Sequence, residues 1–300
     1  MWRTLLVTNG SRLSTRDKRL IVKTEEQEFY VPLEDIYAVV VESLQTEITA
    51  STIIALVTAG AHIVICDEKH LPCSLTLPLN THFHASNVLK QQIELPRQIK
   101  AALWKEIVKA KIRNQEKVLR FTGRSKTVRD KLLQYAQEVE DDDVSNREGL
   151  SAKMFFRELY GSEFVRKADN AINSALNYGY AILRSAVSKS LVSYGFNCAL
   201  GIHHMGEFNA YNLSDDFMEP FRPIVDYWVD ANHTDLCEDL TMNNKLGLIN
   251  LLNQCALCGG KKVKIRYAIS LLVKSFVSCI ENSVADGLLL PEIIPFDEAE

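Results

Sequence analysis

The sequence predicts an α+β protein in which a small N-terminal β-rich domain precedes a larger all-α C-terminal domain. Short β-branched runs fill residues 1–79, and long helical patterns fill residues 87–300. A mostly polar stretch at 80–86 separates them and is expected to be the linker. A chain of 300 residues is long enough for two domains of this kind.

The N-terminal domain is predicted from apolar runs separated by turn residues, such as Asn9-Gly10 after the first run. One helix at about 50–58 is expected to interrupt the strands. The expected strands cover residues 4–8, 20–23, 28–31, 37–41, 62–66 and 74–77.

The C-terminal domain is predicted from apolar residues at steps of four and three after residue 95, as in Ile99, Leu103, Ile107 and Ala110. Gly161 and Gly195 stand where helices are expected to end. The further helices are expected at about 128–138, 146–160, 168–195, 216–230, 240–256 and 265–284.

Composition places the chain among ordinary globular proteins, with 47% apolar and 24% charged residues. No apolar run approaches the ~18 residues of a membrane span, and the N-terminal run is too short for a signal peptide. Seven cysteines form no disulfide framework, so a reducing cytoplasm is expected. The net charge of −4 requires any DNA-binding surface to come from local clustering.

One such cluster spans residues 105–131, where ten cations face three carboxylates. This helix could neutralise several phosphates without reading base sequence, or it could simply be a solvated face. The acidic run at 138–143 that follows is expected to be a solvated loop. The candidate DNA-binding residues are Lys109, Arg113, Lys117 and Arg120.

Glu148 has two interpretations. Ser145-Asn146-Arg147-Glu148 fits a capping box, in which Ser145 caps a helix and Glu148 reaches back to a free amide. Alternatively, the Glu148 carboxylate points inward as a hard oxygen ligand of a metal ion.

Asp216 and Glu219 stand three residues apart, which on a helix places them on one side. Two such charges at ~4 Å repel by about 4 kcal/mol at an effective dielectric constant of roughly 20. A cation should therefore lie between them, and either Arg222 or a metal ion could supply it.

His203 and His204 follow an apolar stretch, so at least one imidazole is expected at the edge of a core. An imidazole combined with two or three carboxylates suits Mn²⁺ or Mg²⁺. Cys255-x-x-Cys258 could supply zinc ligands together with His233 and Cys237, or could be small apolar residues before a Gly-Gly turn.

Four motifs occur in one order along the chain. They are Asn146-Arg147-Glu148-Gly149, Ala175-Leu-Asn-Tyr-Gly-Tyr180, Gly201-x-x-His204 and Asp216-x-x-Glu219-Pro-Phe-Arg222-Pro223. The ordered set resembles the CRISPR adaptation integrases, the CRISPR-associated endonuclease/integrase family, and is most similar to the type II branch. The resemblance covers nearly the whole chain.

The resemblance implies a metal site in which Glu148, His204 and Glu219 hold Mg²⁺ or Mn²⁺, with Asp216 and Arg222 in support. Glu219 stands where other branches have Asp. The choice of His204 rests on its position three residues after Gly201, and His203 stays open as the alternative ligand.

The resemblance also implies an activity and partners. A DNA 3′-hydroxyl attacks the CRISPR repeat, so that captured double-stranded fragments are joined to it by transesterification, and water in its place would give endonuclease activity. The implied partners are a second copy, paired through the β-rich domain, and the second CRISPR adaptation protein. In the type II branch, other adaptation proteins and the effector nuclease are further candidates. Without the resemblance, a non-catalytic helical DNA-binding or assembly protein is the alternative function.

Overall fold

The computed structural model describes residues 2–78, 84–236 and 240–296. The chain forms two compact units, Met1–Asn80 and Thr81–Glu300. The first is rich in strands and the second is mostly helical, which confirms the predicted fold class. Most of the predicted linker, including His82, lies outside the described residues, and a helix already begins at Ala85.

Within residues 2–78, the first unit contains two four-stranded sheets and one α-helix. Its elements are β1 (Arg3–Val7), β2 (Arg12–Arg16), β3 (Arg19–Lys23), β4 (Glu28–Pro32), β5 (Ile36–Val41), β6 (Glu47–Ile48), α1 (Ala50–Thr58), β7 (His62–Cys66) and β8 (Pro72–Leu75). In one sheet, β1, β5 and β7 run parallel and β8 joins β7 antiparallel. In the other, β2, β3 and β4 form an antiparallel meander, and β6 pairs parallel with β2.

The core of this unit lies between the sheets and α1. Leu13, Leu20, Ile36, Leu56 and Ile63 are almost completely buried there. The sequence did not predict β2, because its residues Arg-Leu-Ser-Thr-Arg contain one apolar side chain. Pairing on both sides, with β3 and β6, stabilises this strand instead.

The second unit is built around a long central helix that packs against several others. The helices are α2 (Ala85–Glu94), α3 (Arg97–Phe121), α4 (Lys126–Glu138), α5 (Arg147–Tyr160), α6 (Ala171–Ser193), α7 (Asn212–Met218), α8 (Arg222–Ala231), α9 (Met242–Asn250) and α10 (Ile265–Asn282). The central helix is α3, which contacts α4, α5 and α8. Gly161 and Gly195 follow α5 and α6 with φ of 93° and 85°, as predicted for helix C-termini.

Two differences from the predicted helices matter for the site. The single helix expected at 216–230 is divided by a 3₁₀ turn at Glu219–Phe221, because Pro220 has no amide hydrogen to donate to the preceding turn. The helix expected at 240–256 ends at Asn250, and a small sheet follows. Its strands are β9 (Cys255–Cys258), β10 (Lys261–Lys264) and β11 (Glu292–Ile293).

In the described part of the chain, no helix combines the length and the apolar composition needed to cross a membrane.

Candidate active site

A buried lysine on α3 marks the centre of the site. Lys111 follows Ile107 by one helical turn and is only 4% exposed. Its ammonium group contacts the carboxylates of both Glu148 and Glu219. Burial lowers the pKa of Lys111, but these two carboxylates outweigh burial and leave that pKa above its ordinary value. The ammonium group is therefore charged and occupies the place of a small cation between two carboxylates.

Glu148 is held at the first turn of α5 by a cap that the sequence did not predict. The carboxylate of Asp143 accepts hydrogen bonds from the amides of Arg147 and Glu148, each at 2.9 Å. The Asn146 side chain accepts from the Gly149 amide at 3.1 Å. The capping-box interpretation is wrong, because Asn146 is the N-cap and the Glu148 carboxylate turns to Lys111.

The predicted solvated loop at 138–143 is correct only in part: Glu140 and Asp141 are exposed, but Asp143 is not. Its last residues form a 3₁₀ turn at Asp141–Asp143, and Asp143 is only 8% exposed because its carboxylate faces the free amides at the start of α5. An acidic side chain is favourable at this positively polarised helix end.

Glu219 lies in the 3₁₀ turn between α7 and α8 and is 3% exposed. Arg222 donates to its carboxylate at 2.7 Å and so supplies the counter-charge of Glu219. The expectation that Arg222 lies between Glu219 and Asp216 is wrong, because Asp216 bonds backbone amides and His204 instead. Burial raises the pKa of Glu219, but Arg222 and Lys111 outweigh it and bring that pKa to about 2. Glu219 is therefore ionised at any physiological pH.

Asn114, one turn after Lys111 on α3, fixes the turn that carries Glu219. Its side-chain amide donates to the carbonyl oxygens of Pro220 and Pro291, at 2.8 and 2.9 Å. It also accepts from the Ile293 amide at 3.1 Å. α3 therefore contacts both the Glu219 carboxylate and the backbone next to it.

Asp216 is completely buried and organises the segment that carries both histidines. Its carboxylate accepts from the amides of Ile202, His203 and His204, at 2.7, 3.2 and 3.1 Å. It also bonds Nδ1 of the His204 ring at 2.6 Å, and this hydrogen bond raises the pKa of His204. Because Nδ1 is engaged, Nε2 is the ring nitrogen left for a ligand.

His203 has a different environment from His204. Its Nδ1 pairs with the Asp142 carboxylate at 3.0 Å, and its ring stacks on Trp104 with centroids 4.2 Å apart and planes within 3°. These contacts tie the segment before Glu148 to the segment that carries His204. His203 is thus engaged on one nitrogen and one ring face, and His204 has the buried carboxylate typical of a metal-ligating histidine.

The predicted ligands do not all meet. Glu148 and Glu219 share one partner, but within residues 2–78, 84–236 and 240–296 no three His, Cys, Asp or Glu side chains are arranged to hold a metal ion. The two carboxylates nevertheless fit a divalent cation, since the ammonium group of Lys111 already stands in for one. Carboxylate oxygens and one imidazole are the donors that Mg²⁺ or Mn²⁺ would take.

A cavity of about 480 Å³ opens beside Lys111, Glu148 and Arg222. Arg222 lies over the Tyr180 ring, 4.2 Å from its centroid, and the Tyr180 hydroxyl donates to Asp226. Burial raises the pKa of Asp226 to about 6. The cavity is further lined by cationic and aromatic side chains, namely Lys153, Arg157, Arg166, Phe156 and Phe164.

The four candidate DNA-binding residues all lie on α3, in differing environments. Lys109 pairs with Glu106 at 2.8 Å, Lys117 with Glu292 at 2.7 Å, and Arg120 with Glu116 at 3.6 Å. Arg113 is exposed. Much of α3 is buried in the unit. The ion pairs with glutamates within the chain therefore offset part of the positive charge that the sequence suggested for this helix.

The structure also identifies site residues that were not predicted, namely Lys111, Asp143 and Asn114. The sequence did contain a signal for two of them. Lys111 and Asn114 continue the buried stripe of Ile107, at steps of four and three. A charged or amide side chain within such a stripe needs a buried partner.

The zinc alternative has little support in the described residues. Cys255 and Cys258 lie three residues apart at the two ends of strand β9. Because successive side chains of a strand alternate between its faces, the two thiols point to opposite sides. Cys258 is buried, and Cys237 lies outside the described residues.

Comparison with known proteins shows which family this chain resembles. The family model described as CRISPR associated protein Cas1 matches residues 4–232. A CRISPR-associated endonuclease Cas1 of Neisseria meningitidis serogroup C is 38% identical over 299 residues, which cover 99% of this chain and 98% of that protein. A Cas1 endonuclease of Francisella tularensis subsp. novicida is 24% identical over 235 residues, covering 72% and 74%.

Solved structures share the fold. A casposase bound to integration product superimposes with a TM-score of 0.77 at 20% identity, covering 93% of this chain and 91% of that one. A CAS1 protein from Thermotoga maritima gives 0.76 at 15% identity, covering 99% and 100%. A chain of a Cas6-RT-Cas1--Cas2 complex gives 0.76 at 17% identity, covering 98% of this chain and 36% of that one.

The fold and the site therefore define a class of protein: a strand-rich unit followed by a helical unit, the fold seen in the casposase and the Thermotoga CAS1 structure, with two carboxylates that share one buried lysine of α3. Within that class, the chain belongs to the Cas1 family of CRISPR-associated proteins. The resemblance to this family that the ordered motifs indicated is confirmed, and the type II branch stays a prediction.

Proposed function

We propose that this protein is a metal-dependent DNA integrase of CRISPR adaptation. It joins the 3′-hydroxyl ends of captured DNA fragments to the CRISPR repeat by transesterification. The observation that carries the proposal is the convergence of the Glu148 and Glu219 carboxylates on one buried cationic group. Family membership supports nuclease and integrase chemistry, since the Neisseria relative is named an endonuclease and a casposase shares the fold.

Glu148, Glu219 and Nε2 of His204 are the groups that would hold Mg²⁺ or Mn²⁺. When bound, such a cation polarises a phosphate oxygen and stabilises the charge of an in-line displacement. Glu219 suits this role because its low pKa keeps it ionised. His204 suits it because Asp216 fixes the tautomer and orientation of the ring.

The other side chains of the site position DNA and balance charge. Arg222 is held between Glu219 and the Tyr180 ring, at the wall of the cavity. A guanidinium group placed there contacts phosphate without reading bases. The aromatic and cationic lining beyond it suits an unpaired nucleotide at a strand end.

The proposed reaction exchanges one phosphodiester bond for another. The fragment 3′-oxygen forms a bond to a phosphorus atom of the repeat, the bond from that phosphorus to the adjoining 3′-oxygen breaks, and the repeat strand leaves with a 3′-hydroxyl. No nucleotide is hydrolysed. Water as the attacking group gives endonuclease activity, and the reverse exchange gives disintegration of branched DNA.

The proposed partners follow from the family. Two copies pair through the β-rich unit, and the pair binds the second adaptation protein, a pairing supported by the structurally similar chain of a Cas6-RT-Cas1--Cas2 complex. The substrates are double-stranded fragments and repeat DNA. Other type II adaptation proteins and the effector nuclease remain predicted partners, and the cytoplasm remains the predicted location.

The proposal is tested by incubating the protein and its adaptation partner with a labelled 3′-hydroxyl duplex and a plasmid that carries a CRISPR repeat. We expect joined product with Mg²⁺ or Mn²⁺ and none with a chelator. Glu148→Ala and Glu219→Ala should each abolish joining while the protein stays folded, because each removes one carboxylate ligand.

Lys105→Ala is a matched control on α3, since Lys105 pairs with the exposed Asp141 away from the centre. If both glutamate variants are folded and join DNA as well as the unaltered protein, the catalytic assignment is wrong. The alternative function, a non-catalytic DNA-binding or assembly protein, predicts DNA binding without any metal-dependent product.

A further inference from the structure

Lys111 is a group that the proposed reaction does not use, although it lies at the centre of the site. We propose that Lys111 is a built-in counter-ion of the metal centre: it holds Glu148 and Glu219 together before the divalent cation binds, and it competes with that cation for them. This inference rests on the proposed function, because it presumes that these carboxylates bind the metal.

The geometry supports the claim that Lys111 holds Glu148 and Glu219 together. Glu148 and Glu219 come from different segments, the start of α5 and the turn before α8, and Lys111 on α3 contacts both. Lys111 lies in the interior of a 25-residue helix, so its backbone is rigidly placed. A side-chain cation on a rigid helix brings the two carboxylates to a common point.

The charges support the claim that Lys111 competes with the divalent cation. Glu148 and Glu219 are paired with two cations, Lys111 and Arg222, so the charges of these four groups balance. A divalent cation bound by Glu148 and Glu219 would leave the cluster with an excess of positive charge in a buried place. The ammonium group occupies the same carboxylates that the metal needs, so it must withdraw when the metal binds.

The ammonium group can move into a neighbouring cavity when it leaves the carboxylates. Lys111 also lines the cavity that opens beside the site, together with Glu148 and Arg222. In that cavity it can pair with a DNA phosphate, which ties metal loading to the presence of substrate.

The test compares Mn²⁺ binding to the full-length protein and to Lys111→Met, which keeps a long apolar side chain and removes the charge. Titration calorimetry, or electron paramagnetic resonance of free Mn²⁺, measures the dissociation constant. We expect Lys111→Met to bind Mn²⁺ at least tenfold more tightly, because no ammonium group has to leave. Without Mn²⁺, the melting temperature of Lys111→Met should be lower than that of the unaltered protein. Addition of Mn²⁺ should raise the melting temperature of Lys111→Met by more than it raises that of the unaltered protein.

Lys105→Met is the control, since it removes a charge from the same helix at a pair with a single exposed carboxylate. It should bind Mn²⁺ as the unaltered protein does. Equal or weaker Mn²⁺ binding by a folded Lys111→Met overturns the counter-ion inference while leaving the proposed function intact. Absence of Mn²⁺ binding by the unaltered protein overturns both.

A measurement on the unaltered protein covers the case in which Lys111→Met does not fold. Amine acetylation followed by mass spectrometry reports the reactivity of each lysine. We expect Lys111 to be protected without Mn²⁺ and to react at least fivefold faster with Mn²⁺, whereas Lys105 does not change. Equal reactivity of Lys111 in the two conditions overturns the inference.

Discussion

Gly201→Ala should displace the segment that carries His204. A Cβ atom at Gly201 would lie 2.2 Å from the carbonyl oxygen of His204 and 2.8 Å from a carboxylate oxygen of Asp216. The first contact is about 1 Å inside ordinary van der Waals distance and involves backbone, so the segment has to move by about an ångström. Overpacking of this kind costs about 1–3 kcal/mol of stability.

The expected activity loss is larger than the stability loss, because a shift of about 1 Å at a catalytic group can cost on the order of 100-fold in rate. The assay is the rate of metal-dependent DNA joining, with thermal unfolding measured in parallel. Gly206→Ala is the matched control, since its Cβ would approach only side chains, Asn209 at 3.3 Å and Asn212 at 3.6 Å. Full joining activity of Gly201→Ala would refute the view that His204 depends on this close packing.

Three further predictions concern charge. Asp216→Asn should lower the pKa of His204 toward 6.5, because it weakens the hydrogen bond that raises this pKa. The stability gained by protonating His204 is present below about pH 6.5 and is lost as the pH rises through the folded pKa, so this pH dependence of stability should shrink in the variant. An unchanged titration of His204 by NMR would contradict the prediction. Asp226 has a folded pKa of about 6 against 3.8 when unfolded, so the free energy of unfolding should fall by roughly 3 kcal/mol between pH 4 and 6. Asp226→Asn should remove that fall in urea unfolding, and an identical pH profile would refute the assignment. Arg113→Ala should weaken DNA binding and reduce the salt slope by about 1 if the exposed guanidinium contacts a phosphate; fluorescence anisotropy at several salt concentrations that shows no change would exclude this contact.

Local sequence patterns predicted the elements that depend on near neighbours. The stripe of Ile99, Leu103, Ile107 and Ala110 predicted the central helix, since steps of four and three bury one face. Gly161 and Gly195 predicted helix ends, because positive φ favours glycine. Strand β2 was missed because its stability comes from pairing with β3 and β6.

The candidate site was predicted only in part. The ordered motifs identified Glu148 and Glu219, but local patterns gave each of them an equally simple structural role. Lys111 was counted with an exposed basic helix, and Asp143 with a solvated loop, because their burial depends on residues distant in the sequence. Which groups surround a carboxylate is a tertiary property, and spacing along the chain does not contain it.

The most direct test of the proposed function compares fragments that end in a 3′-hydroxyl with otherwise identical fragments that end in a 3′-deoxy position. Both are incubated with the protein, its adaptation partner, Mn²⁺ and a repeat-bearing plasmid, and joined strands are quantified on a denaturing gel. We predict joining of the 3′-hydroxyl fragment alone, and its loss in Glu148→Ala and Glu219→Ala. Equal joining of both fragments, or joining that persists in both glutamate variants, would contradict integration at this carboxylate pair.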